Sequence, residues 1–210
     1  QMKGLLIKDM KLMLGQIMFL IVLPIVGAMI VVPSGQLNMG FGYIASVSGL
    51  FAVTTINYDS YDNGYSFLFT LPVSRRGYVK EKYIFALMSS VAVMLAVGVT
   101  LWFLTAAVHS ENDYEFVDFL GNMWSAYMIT LTALSFLLPI FLKYGAEKSR
   151  YIILILCGIF MALSVAITMD ETLGELLEVE IKGIVFLILD AALLTGSYAV
   201  SCGIMEGKDF

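Results

Sequence analysis

The sequence predicts an all-α integral membrane protein: six transmembrane helices, an interfacial helix at the N-terminus, and a short cytoplasmic helix between the second and third spans. Three observations predict it. Six long apolar stretches separated by polar gaps make up most of the 210 residues. The chain is 60% hydrophobic and 14% charged, whereas a soluble domain is about half apolar and a quarter charged; the excess must face lipid. Finally, eleven of the twelve Lys and Arg residues fall in alternate gaps, while the intervening gaps hold Lys182 and nine of the seventeen acids. Cytoplasmic loops retain Lys and Arg, so both termini are expected in the cytoplasm. The net charge of −5 then reports acidic outer loops, and nothing in it points to a nucleic-acid partner.

Residues 1–210 are expected to form one transmembrane domain. Residues 2–15 place Lys3, Lys8 and Lys11 on one side of a helical wheel and Met2, Leu5, Leu6, Leu12 and Met13 on the other, interrupted by Asp9. That pattern suits a helix lying in the interface. A lipid-crossing helix needs about 20 apolar residues, and the spans are expected near 12–32, 41–56, 83–108, 123–142, 151–169 and 183–204. Each must be helical because hydrocarbon cannot satisfy backbone polar groups. The second is short and polar (Ser46, Ser48, Thr54, Thr55), so it is expected to extend past Ile56 or to pack against protein. Pro24 and Pro139 lie inside spans, where neighbouring helices can satisfy the freed carbonyls. Cys157 and Cys202 both lie in spans and read as small hydrophobes, not a disulfide framework. The first apolar stretch is too long for a signal peptide's core.

Residues 57–82 form the long internal gap, NYDSYDNGYSFLFTLPVSRRGYVKEK. Its first part is polar and turn-rich, with Asp59 and Asp62 as surface acids or helix caps. An apolar run, Tyr65–Leu71, precedes Pro72, which breaks the helix before it, and Ser74 can cap the helix after it. The expected shape is a short helix across the membrane face, a sharp turn, and entry into span three past Lys80 and Lys82. Such a helix can dock on a cytoplasmic partner; alternatively, its basic residues only fix orientation against anionic lipid headgroups.

Asp190 is an ionisable residue inside span six. Intramembrane carboxylates are expensive and mark functional sites by default. Asp190 either lines a wet pathway or is protonated and hydrogen-bonded to a neighbouring helix. His109 stands near Glu111, Asp113, Glu115 and Asp118 but lacks ligand spacing, so no metal site is expected. The last outer loop, residues 169–182, reads as an amphipathic helix that gates the exit or merely caps the bundle. No constellation of side chains suits catalysis inside the spans.

The stretch LPVSRRGYVKEKYI resembles the signature that follows the coupling helix in permeases of type-2 ATP-binding-cassette exporters. MKGLLIKDMKLM, FLKYGAEKSRYI and SYAVSCGIMEGKDF resemble, in order, that family's interfacial helix, its second cytoplasmic loop and its closing tail. The short form is similar to permeases that export amphipathic peptides, of the phenol-soluble-modulin type. The resemblance implies a subunit of the bacterial cytoplasmic membrane that pairs with a second permease copy or a paralogue, and with separate ATPase subunits that hold ATP and Mg. The chain has no GxxxxGK[ST] sequence, so no cofactor or nucleotide is expected to bind it directly. The implied ATPase-docking set is Asp59, Tyr61, Asp62, Tyr65, Phe67 and Leu71, with Arg75 and Arg76 at its edge. Lys143, Glu147, Lys148 and Arg150 would form a second contact, and Asp190 a point on the pathway. Family members often carry Glu where this chain has Asp59 and Asp62, which leaves open which acid meets the partner. The thirteen Met suit an adaptable surface for peptide cargo as well as ordinary filling of a bundle. Drugs, ions or other cargo fit the same class, and a non-transporting immunity or sensor subunit would share the topology without needing a docking helix.

Overall fold

A computed structural model describes residues 2–34, 36–60, 64–70, 73–108, 115–169 and 183–208. Seven helices follow one another among the described residues: α1 (Met2–Leu14), α2 (Ile17–Ser34), α3 (Leu37–Ser60), α4 (Gly64–Leu68), α5 (Arg75–Val108), α6 (Phe116–Met169) and α7 (Gly183–Glu206). No strand occurs among the described residues. Among the described residues, four helices are long and apolar enough to cross a membrane: Leu37–Ser60, Arg75–Leu104, Phe116–Gly145 and Val185–Glu206; Ile21–Ser34 is apolar but shorter.

The boundaries differ from the apolar runs for local reasons. Residues 12–32 do not form one helix: α1 closes with Gly15 N–H donating to the Lys11 carbonyl at 3.1 Å and Gln16 N–H to that of Met13 at 3.0 Å, and α2 starts afresh. Residues 116–169 form two helical limbs joined at Gly145, where φ is 73° and ψ −177°. That backbone region is essentially closed to residues with a Cβ, so one glycine makes the turn. Residues 151–169 belong to the second limb. The polar second span runs well beyond its apolar core, from Leu37 to Ser60, because it is central: α3 packs on α6, α5 and α2. Ser48 donates to the Ala45 carbonyl at 3.0 Å and lies 3.3 Å from Thr130 Oγ of α6.

Two cores divide the bundle by depth. One gathers Phe41, Ile44, Val97, Leu101 and Phe119 between α2, α3, α5 and α6, with Trp102 edge-on to Phe116 and Phe119. The other joins Leu5, Ile56, Tyr65, Tyr78, Leu138, Leu142 and Met205, and so ties α1, α4 and the end of α7 to the same end of the bundle. Large exposed apolar side chains such as Met18, Phe103, Ile129, Leu154 and Ile188 clothe the outside, as lipid contact requires.

Candidate functional site at the basic end of the bundle

The basic end is built by local chemistry. After α3, Gly64 approaches the Asp59 carbonyl so closely that a Cβ would lie 2.7 Å from its oxygen. The chain then makes the single turn of α4, which cannot stand alone at this length. Its Tyr65 and Leu68 are buried. Tyr65 and Phe69 both stack edge-on against Tyr78, centroids 5.9 Å apart. Burial, aided by the field of Asp59 and opposed by the Tyr78 hydrogen bond, raises the Tyr65 phenol to about 12. Pinned in this way, α4 holds Phe67 outward, 74% exposed. Ser74 then caps α5, accepting from Gly77 N–H at 3.1 Å.

The end of α7 closes the other side. Arg75 donates to the carbonyls of Met205 at 3.3 Å and Glu206 at 2.7 Å, placing a cation on the negative end of the helix. Arg76 pairs with the Glu206 carboxylate. Lys208 donates to the Leu142 carbonyl at 3.1 Å and lies 5.0 Å over the Tyr65 ring; burial lowers its pKa.

Beneath α4 lies a buried ionic cluster. Lys82 of α5 contacts Asp9 of α1 and Asp59 of α3, the latter at 2.7 Å, and donates to Thr55 at 3.4 Å. Lys8 reaches Asp59 and, at 3.3 Å, Asp9. Tyr78 donates to Asp59 at 3.1 Å. Burial would lower the Lys8 pKa, but hydrogen bonds and attraction from Asp59 and Asp9 outweigh it, and the pKa is raised. Glu81 adjoins the cluster, fully buried.

This arrangement sorts the expected docking residues. Asp59 is engaged inside the chain rather than presented to a partner, and Tyr65 is core. Phe67 and Arg76 are exposed, and Arg75 is half-buried against α7. Tyr61, Asp62 and Leu71 lie outside the described residues, as do His109 and residues 170–182. Lys143, Glu147, Lys148 and Arg150 are exposed on either side of Gly145, with Lys143 over the Tyr144 ring. Asp190 sits away from this end, 1% exposed, accepting from Thr132 of α6 at 2.6 Å. Among the described residues, no group of His, Cys, Asp and Glu side chains could hold a metal ion.

The sequence had signals for the cluster: Asp9 breaks an otherwise apolar face, and Glu81 and Lys82 stand at the mouth of an apolar run. A family model described as "ABC-2 family transporter protein" matches residues 4–206. No curated protein and no solved structure matches the chain.

Proposed function

Because the chain belongs to the ABC-2 family of transporter proteins, we propose that it is the permease subunit through which a separate ATP-binding-cassette ATPase drives export of amphipathic peptides. Membership makes it a multi-pass membrane component of a transporter and implies the ATPase partner. The finer reading holds that it crosses the bacterial cytoplasmic membrane six times with both termini inside. The second limb of α6 and the helix α2 would supply the two spans beyond the four long ones. ATP and Mg would stay in the partner, and a second copy or paralogue would complete the pathway.

The observation that carries the coupling part is Phe67. An apolar ring 74% exposed on a one-turn helix, braced from beneath by Tyr65, Tyr78 and Lys208, forms a rigid knob at the end where the basic residues gather. A knob of this kind fits a cleft on a cytoplasmic partner and passes its movement to α3 and α5, which flank it. Phe67→Ala, co-expressed with the partner ATPase, is expected to lower co-purification and peptide-stimulated ATP hydrolysis about tenfold while leaving the permease folded, since hot-spot aromatics contribute about 1–2 kcal/mol or more. Undiminished complex formation in Phe67→Ala and Phe67→Asp would overturn the docking assignment.

A further inference from the structure

We propose that Glu81 is a proton-binding site: its carboxyl carries a proton while α1 is seated on the bundle, and release of that proton loosens α1. Asp9, Asp59 and Glu81 supply three carboxyl groups, and Lys8 and Lys82 two ammonium groups. An ammonium has three hydrogens. Those of Lys82 face Asp9, Asp59 and Thr55, and Lys8 donates to Asp59 and lies 3.3 Å from Asp9 as an ion pair. Tyr78, the remaining polar neighbour on α5, donates to Asp59. Glu81 is left over. It is 0% exposed, and neither carboxylate oxygen has a hydrogen-bond partner among the described residues. Its nearest cation, Lys82, stands at 3.8 Å, beyond hydrogen-bond length.

A buried carboxylate that no donor reaches neutralises. With Glu81 protonated, the cluster balances at two anions and two cations. Ionised, it holds one anion too many. The cost falls first on α1, which is held by Leu5 in the core and by the tie of Asp9 to Lys82 of α5. The equilibrium belongs to the chain itself, so it stands or falls apart from the export reading.

Two readouts on the full chain in lipid nanodiscs test it. Infrared spectra from about pH 5 to about pH 9 are expected to show a protonated-carboxyl band that fades with rising pH and is absent from Glu81→Gln. In parallel, the folded chain holds a proton that the unfolded chain has lost. The wild-type unfolding constant should therefore rise by up to about tenfold per pH unit between the ordinary carboxyl range and the pH at which Glu81 ionises, whereas Glu81→Gln lacks that slope. Identical carboxyl spectra and parallel stability curves would overturn the proposal. Should Glu81→Gln fail to fold, hydrogen exchange of wild-type α1 relative to α7, corrected for intrinsic rates, decides: a ratio growing with pH supports the site, and a constant ratio rejects it.

Discussion

Gly145 shows how much one residue can determine. Its φ of 73° with ψ near −177° is a conformation that a Cβ opposes at about 1–3 kcal/mol. Nothing lies within 4 Å of where that Cβ would stand, so Gly145→Ala should destabilise through the backbone alone, by about that amount, in unfolding measured in detergent. Lys82 tests the opposite kind of residue. It is 1% exposed between two carboxylates, and removing one partner of a buried pair costs about 3–5 kcal/mol. Lys82→Met is expected to lose that much, and Lys82→Met with Asp9→Leu less than the sum of the two single changes, in a double-mutant cycle. The alkaline limit has a definite sign. Lys8 binds its proton more tightly when folded, so its contribution is complete below the unfolded value of 10.5 and is lost as pH rises through the higher folded value. Tyr65, raised from 10.0 to about 12, likewise withdraws stability as pH climbs across that interval. Tyr65→Phe should flatten part of the fall in a pH-dependent melt.

At the scale of the element, α4 and α1 are the parts that sequence conveys least completely. The apolar run and Pro72 announce a short helix before a turn, and Ser74 announces the start of α5. Nothing local distinguishes the inward Tyr65 from the outward Phe67, because a one-turn helix has too few residues to display a period; the Tyr78 ring decides. Asp59 reads as a surface acid because its partners, Lys8 and Lys82, lie 51 and 23 positions away. The long helices are more legible, since lipid demands continuous apolar runs and the backbone must close its own hydrogen bonds. Their ends are less so: α3 stays helical through polar Asn57–Ser60, where Asp59 enters the ionic cluster, Tyr58 accepts from Gln16 and Ser60 donates to the Asn57 carbonyl. The turn at Gly15 and the bend at Gly145 also escape a count of hydrophobicity, which measures how apolar a stretch is and not where its axis changes.

At the scale of the whole molecule, charge sidedness and helix packing agree on one end. Lys8, Lys82, Arg75, Arg76 and Lys208 are joined there by contacts among α1, α3, α5 and α7. A cysteine at exposed Lys148 is expected to react with a membrane-impermeant maleimide only after the cytoplasmic side is opened; labelling in intact cells would reverse the topology. Asp190 belongs to the same scale, since the pathway proposed for it would lie between two bundles. Asp190→Ala should lower peptide efflux from reconstituted vesicles more than it lowers assembly with the ATPase, and unchanged efflux would remove it from the pathway.

The attachment of α7 has a mechanical consequence. Its seam with the bundle includes a set of hydroxyl groups: Ser197 donates to the Ser135 carbonyl at 2.5 Å, and the Tyr83 phenol lies 2.6 Å from Ser197 and 2.8 Å from Ser201. Those two serines are four positions apart, about 6 Å along the axis. Hydrocarbon resists sliding between greasy surfaces very little. The helix thus has two handholds a turn apart, and one phenol that grips both holds the rod against sliding along its own axis.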